Sequence, residues 1–163
     1  MSIEKVREYL RPLGLEDRVR ELGESSATVE LAAAALGVEG ARIAKTISLA
    51  SGEGCLLVVT AGDTKIDNAK FKSRFGFKAK MLTHEQALEM TGHAVGGVCP
   101  FALPDGVEVY LDESLRRFET VFPACGSANS AIELTCDELE AASHADAWVD
   151  VCKMREPLPE SPQ

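Results

Sequence analysis

Ile43-Ala44-Lys45-Thr46-Ile47-Ser48-Leu49-Ala50 and Cys55-Leu56-Leu57-Val58-Val59-Thr60 flank the tetrapeptide Ser51-Gly52-Glu53-Gly54. Two runs rich in β-branched and aliphatic residues around a glycine-bearing link predict two strands joined by a hairpin-like turn. Cys55 to Val59 is apolar at every position, so it offers apolar side chains to both faces and reads as a central strand. One residue breaks the pattern. Lys45, at the head of an apolar strand, is either an ordinary surface lysine or a cation set at a pocket rim to hold a phosphate.

Outward from this pair, Ile3, Val6, Leu10 and Leu13 recur at helical spacing and predict a helix from Ser2 to Leu13, ended by Gly14. Thr28 is the predicted cap of a helix over Val29–Leu36, with Glu30 in its first turn and Gly37 as its stop. Ala61-Gly62-Asp63 ends the central strand, and a helix is predicted from Ile66 to Phe75. Met81-Leu82 reads as a short strand. Thr83 and Gln86 then form a capping box for a helix closing at Thr91-Gly92.

Val107, Val109 and Leu111 alternate with Glu108, Tyr110 and Asp112, which predicts a half-buried strand. Glu119 to Ala124 reads as another strand, Gly126 to Ser130 as a polar turn followed by Ile132–Leu134, and Thr135 with Glu138 as a second capping box for a helix running to His144. Trp148–Cys152 reads as a last strand. From Glu156 onward the chain holds three prolines in eight residues. The expected organisation is one α+β domain over residues 1–153, with a largely antiparallel or mixed curved sheet, and a disordered tail at 154–163.

The 163 residues suffice for one sizeable core, and 45% hydrophobic with 26% charged residues is the balance of a soluble globular protein. Charges begin at Glu4, so no secretory signal is read at the start, and the cytoplasm is the expected location. Five cysteines without a C-x-x-C pair, and three histidines far apart, argue against a disulfide framework and against a metal site. The net charge of −9 argues against coating nucleic acid by bulk electrostatics. Yet Lys65, Lys70, Lys72, Arg74, Lys78 and Lys80 face a single acid, Asp67, within one short segment. That excess is either a solvated helix face or a local contact for phosphates.

No Walker loop, G-x-G-x-x-G, G-x-S-x-G or H-E-x-x-H is present. The run Gly96-Gly97-Val98-Cys99-Pro100-Phe101 joins two permissive residues to one rigid one. It is either an ordinary tight turn or a stiff bend whose amides hold an oxyanion or a carbonyl. Cys99 with His93 as its base is a candidate nucleophile, the alternative being a packed thiol.

Several stretches together resemble the YbaK / prolyl-tRNA synthetase-associated editing domain family: Thr28-Val29-Glu30-Leu31-Ala32-Ala33 with Leu36-Gly37, Ala44-Lys45-Thr46, Ala61-Gly62-Asp63, Thr91-Gly92-His93-Ala94 through Pro100-Phe101, Val109-Tyr110-Leu111-Asp112-Glu113-Ser114, Gly126-Ser127-Ala128-Asn129 and Trp148-Val149-Asp150. The resemblance implies a single α+β domain with a mixed, barrel-like sheet surrounded by helices. It also implies a trans-editing hydrolase that cuts the ester of an amino acid wrongly attached to tRNA, usually tRNA-Pro, without metal or cofactor. By the same likeness Lys45 holds the phosphate of the terminal adenosine, and the Gly96–Pro100 backbone positions the aminoacyl carbonyl and its water. Thr46, His93, Gly97, Cys99, Gly126, Ser127 and Asn129 become candidate substrate contacts. Lys65, Lys70, Lys72 and Arg74 become candidate tRNA contacts. Thr46 matches the cysteine-directed type, so Cys-tRNA(Pro) is the leading expected substrate; Cys99 departs from the serine or threonine frequent in relatives. Prolyl-tRNA synthetase is a possible partner, and neither membrane nor DNA is expected. The alternatives are a non-catalytic module that binds tRNA or a synthetase, and a thiol hydrolase centred on Cys99.

Overall fold

The computed structural model describes residues 2–94 and 96–155. The chain runs through α1 (Ser2–Leu10), β1 (Arg20–Glu21), α2 (Val29–Leu36), β2 (Ile43–Ser51), β3 (Gly54–Ala61), β4 (Thr64–Ile66), α3 (Asn68–Phe75) and α4 (His84–Thr91). It continues through β5 (Glu108–Asp112), β6 (Thr120–Pro123), β7 (Ser130–Ala131), β8 (Leu134–Thr135), α5 (Cys136–Ser143), β9 (Ala147–Val149) and β10 (Cys152–Met154).

The hairpin forms as read, with Lys45 opposite Thr60 and Thr46 opposite Val59. It lies inside a six-stranded mixed sheet of order β8-β6-β2-β3-β5-β9. The β2–β6, β3–β5 and β5–β9 pairs are parallel, while β2–β3 and β6–β8 are antiparallel. Two small antiparallel pairs, β1–β7 and β4–β10, complete the pairing.

Because β3 is apolar throughout, it feeds two cores. Leu57, Val59 and Ala61 join Val6, Leu10, Phe101, Leu111 and Leu134 on one face. Leu56 and Val58 join Leu49, Phe71, Tyr110 and Val151 on the other. The same holds for β5. Its alternation predicts a half-buried strand, but Tyr110 and Asp112 are only 8% and 2% exposed, because Phe71 and Phe75 from α3 pack on Tyr110 and the chain at Val151 passes over Asp112.

Helix starts follow their caps. Thr28, Thr83 and Thr135 each accept a backbone N–H through the side chain, and Thr83 and Thr135 complete capping boxes with Gln86 and Glu138.

Four boundaries differ from the sequence reading. The first α-helix stops at Leu10 and continues as a 3₁₀ turn over Arg11–Leu13, since Pro12 lacks an N–H and its ring blocks an α-helical carbonyl. Ile66 closes β4 rather than opening a helix; Asp67 caps α3 by accepting the Lys70 N–H at 3.0 Å. The stretch Met81-Leu82 makes a single bridge to Leu49 instead of a strand. Finally, 148–152 is two strands. The buried Asp112 carboxylate accepts the Val151 N–H at 2.9 Å where the chain leaves β9, and β10 then pairs with β4 through Met154. Tail residues 156–163 lie outside the described residues. No described helix is long and apolar enough to cross a membrane.

Candidate active site

Successive side chains of β2 point to opposite faces, so Lys45 and Thr46 leave the strand in opposite directions. Lys45 is half-buried, and its Nζ donates to the Thr64 carbonyl. β4 supplies that carbonyl, and the Thr64 and Thr60 hydroxyls are bonded to each other beneath it. Burial, then the Arg155 guanidinium, pushes the Lys45 ammonium below its usual pKa, while Glu30 and Asp63 pull the other way. Asp63 is itself gripped by Arg117 at 2.5 and 3.0 Å. The result is a cation held in place but poorly solvated, suited to gaining an anionic partner.

The bend after α4 is shaped by contacts on both sides. Gly96 has φ +89°, a value L side chains rarely adopt. A Cβ on Gly97 would come within 2.6 Å of the Ser127 nitrogen and 2.7 Å of the Gly126 carbonyl carbon. The bend therefore lies directly on the 126–130 turn. That turn is tied in turn to the segment before α2, with Ser26 N donating to Ala128 O at 2.5 Å and Asn129 Nδ2 donating to Leu22 O at 3.2 Å. Gly97 N donates to Ala94 O at 2.9 Å, whereas the Val98 amide has no partner among the described residues.

Between these parts lies a cavity of about 740 Å³. Lys45, Thr46, Gly96, Val98 and Ser130 all line it, so the strand that carries Lys45 and the bend border one space. The Thr46 hydroxyl is buried with no partner among the described residues. Ala27 (whose Cβ lies beside Gly96), Ala124 and Ala131 line the cavity with small side chains, and Ile47, Ile66 and Met81 line it with larger apolar ones. Of the predicted basic residues, Lys65 lines the cavity.

The remaining candidates lie elsewhere. Gly97, Gly126, Ser127 and Asn129 do not line the cavity; they form the backing of the bend, with Ser127 Oγ donating to Ser130 Oγ at 2.8 Å. Pro100 is buried behind the bend. His93 and Cys99 are 1% and 0% exposed and support the bend from below. A carbonyl can only accept, so the 2.8 Å contact of His93 Nε2 with Phe101 O fixes the proton on Nε2, and Nδ1 accepts from the Ser2 hydroxyl. Cys99 Sγ, 3.5 Å away, faces that same Nε2–H. His93 thus has no lone pair to offer the thiol, and burial pushes that thiol up to about 12.

Lys70 donates to Asp150 at 3.1 Å and to the Cys152 carbonyl at 3.0 Å, and Arg74 stacks over Phe75 and Tyr110. Lys72 is exposed. Ser130, Ala27, Ser48 and Met81 are cavity residues that the sequence reading missed. Ser130 had one available signal, its place as the last residue of the polar turn. Among the described residues, no three His, Cys, Asp or Glu side chains are grouped so as to hold a metal ion.

This architecture is that of a small α+β domain of the trans-editing type. A crystal structure of a candidate trans-editing enzyme for prolyl tRNA synthetase superposes with a TM-score of 0.84 at 30% identity, covering 93% of this chain and 97% of that one. The model of the aminoacyl-tRNA editing domain matches residues 23–142, and the chain belongs to that family, the YbaK type. An uncharacterized protein, YwhH, of Bacillus subtilis (strain 168) is 54% identical over 154 residues, 94% of this chain and 98% of its own length. The proline–tRNA ligase of Lactiplantibacillus plantarum is 24% identical over 125 residues, which are 76% of this chain but only 22% of that enzyme.

Proposed function

We propose that this protein deacylates mischarged tRNA in trans, with Cys-tRNA(Pro) as its leading substrate. The observation that carries the reading is that Lys45 and the Gly96–Val98 bend line one cavity. Lys45 takes the phosphate of the terminal nucleotide as a point charge, and the bend takes the aminoacyl carbonyl. A water oxygen adds to the ester carbon, giving a tetrahedral oxyanion that the Val98 amide faces. Collapse breaks the bond to the ribose 3′-oxygen, which leaves with a proton derived from the water. The products are the free amino acid and intact tRNA.

Orientation and oxyanion stabilisation are sufficient tools here because an aminoacyl ester is already labile. The ribose 2′-hydroxyl is the nearest substrate group able to relay the proton; a 2′-deoxy end cleaved at an unchanged rate would remove it from the mechanism. The bend, backed closely by the 126–130 turn, is the part of the wall that would exclude the prolyl ring by shape and accept a smaller side chain. Shape does this better than the gain of one methylene, which is worth only ~1–3 kcal/mol. The proline–tRNA ligase relative supports the choice of tRNA-Pro, and prolyl-tRNA synthetase is the corresponding candidate partner.

The test is a panel of tRNA-Pro charged with Cys, Ala, Ser, Thr or Pro, incubated with the protein and with Lys45→Ala. Release of cysteine ahead of the others, with Pro-tRNA(Pro) spared and the variant inactive but folded, is the expected result. Binding without turnover of any member would favour the adaptor alternative and overturn the deacylase reading.

A further inference from the structure

The edge of β2 is open over a short, bounded stretch. β6 pairs with β2 only at Ile43 and Ala44. Farther along, Leu82 N donates to Ser48 O at 3.1 Å and Ala50 N donates to Lys80 O at 2.8 Å. In a strand both backbone groups of one residue point to the same side, and alternate residues point to opposite sides. Ser48 and Ala50 therefore fix the pattern: even-numbered residues of β2 face this edge. The Thr46 N–H, the Thr46 C=O and the Ser48 N–H thus open into the gap, and none has a backbone partner there among the described residues.

The gap faces the cavity, since Lys45, Thr46, Ile47 and Ser48 all line it. The cavity also touches both faces of the sheet: Lys45 and Ile47 lie on one face, Thr46 on the other. Anything reaching from the Lys45 ammonium to the Gly96–Val98 bend must cross this edge. Four residue steps of strand separate Ala44 from Ser48, a span of about 13 Å, and both ends are closed by pairing. An added peptide strand has no room to run on. A single planar group does.

We infer that this edge reads the terminal base of the substrate, adenine, through a paired acceptor and donor. The Thr46 carbonyl accepts from the exocyclic amine, and the Ser48 N–H donates to the neighbouring ring nitrogen. Either hydrogen-bonding edge of adenine carries that donor-then-acceptor order. Ile47, Ile66, Leu82 and the 68%-exposed Met81 supply apolar walls for the ring faces. This assignment rests on the deacylase reading for the identity of the ligand and adds to it a base preference that owes nothing to side-chain chemistry.

The experiment uses tRNA-Pro charged with cysteine and ending in adenosine, purine riboside or inosine. Purine riboside loses the amine, and inosine presents an acceptor to the Thr46 carbonyl. Expected losses in kcat/KM are about fivefold and at least ~20-fold, as for one lost hydrogen bond and for one bond replaced by a clash of like dipoles. Ser48→Pro removes the donor without touching the β2–β3 ladder, and it should slow the adenosine end and narrow, without closing, the gap between the adenosine and inosine ends, because the Thr46 carbonyl still reads the amine. A second measurement is independent of turnover and of that variant's folding. Titration with adenosine monophosphate should shift the Thr46 and Ser48 amide resonances, and inosine monophosphate, whose phosphate Lys45 also takes, should shift that of Ser48 much less. Equal hydrolysis of all three ends overturns the inference and leaves the deacylase reading intact. No hydrolysis of any end overturns the deacylase reading, and the nucleotide titration then decides the edge: equal or absent shifts overturn it.

Discussion

Gly97 lies against the Gly126–Ser127 peptide so closely that a Cβ would begin 2.6 Å from the Ser127 nitrogen. Its neighbours there are backbone atoms, which cannot swing aside. Gly97→Ala must therefore push the bend away from the turn that positions it. Such overpacking costs about 1–3 kcal/mol, which for a domain of this size lowers Tm by roughly 2–10 °C. The deacylation rate should fall by ~10-fold or more, since misplacement of donors by a fraction of an ångström is costly. Gly14→Ala, at a positive φ (+75°) that Gly97 does not share but with nothing within 4 Å, should lose stability and keep its rate. Equal rates in both variants would sink the argument.

Lys45 supplies a pH signature. Its pKa is lowered, first by burial and then by Arg155. The protonated form is the one that binds phosphate, so affinity is full below the shifted pKa and is lost as pH rises through it. That loss should begin at a lower pH than for an ordinary lysine. Binding of a non-hydrolysable cysteinyl-adenosine monophosphate analogue, followed from pH 6 upward by calorimetry, reads it directly. Lys45→Arg should move the loss to higher pH, because a guanidinium stays charged throughout. Affinity that does not vary up to pH 10 would remove Lys45 from the phosphate site.

Cys99 should prove inert. Its thiol is buried, pushed up to about 12, and faces an N–H rather than a base. Iodoacetamide at neutral pH is expected to leave it unmodified in the folded protein, as mass spectrometry of the digested product would report. Cys99→Ser should keep kcat within about threefold while losing roughly 1–3 kcal/mol of stability for the buried hydroxyl. Loss of kcat with an unchanged melt would revive the thiol-hydrolase reading.

The basic segment divides into residues with different duties. Lys70 is engaged with Asp150 and the Cys152 carbonyl, whereas Lys72 is exposed and Lys65 lines the cavity. Lys72→Glu should raise KM and reduce the salt slope of binding by about 0.7–0.9 per contact removed, with kcat unchanged. Lys65→Glu, at the cavity, should do the same and also lower kcat. A KM for Lys72→Glu equal to that of the parent at both 50 and 200 mM salt would show a solvated face only.

Local chemistry made much of the fold legible in advance. Thr83 with Gln86 and Thr135 with Glu138 announce helix starts because the capping groups lie three residues apart in the chain itself. The all-apolar run 55–59 announces a strand covered on both faces. By contrast β4 and β10, three residues each, exist only because they find one another across 86 positions of sequence, Ile66 with Cys152. The buried Asp112 that turns the chain between β9 and β10 reads in sequence as the polar member of an alternating strand. Lys45 and Gly96 stand out as an odd charge and a doubled glycine. Ser130 and the open edge at Thr46 do not, since a gap in pairing is a property of two strands at once.

The support beneath the bend has a practical side. Ser2 bonds His93, and its backbone presses on Gly126, while Tyr9 donates to the Ala142 carbonyl. Helix α1 thus props the very segment that carries Gly96, although it precedes residue 23, where the family match begins. A fragment trimmed to the recognisable domain would keep every conspicuous motif and yet leave the floor of the pocket unbraced, so truncation must be planned from contacts rather than from sequence likeness.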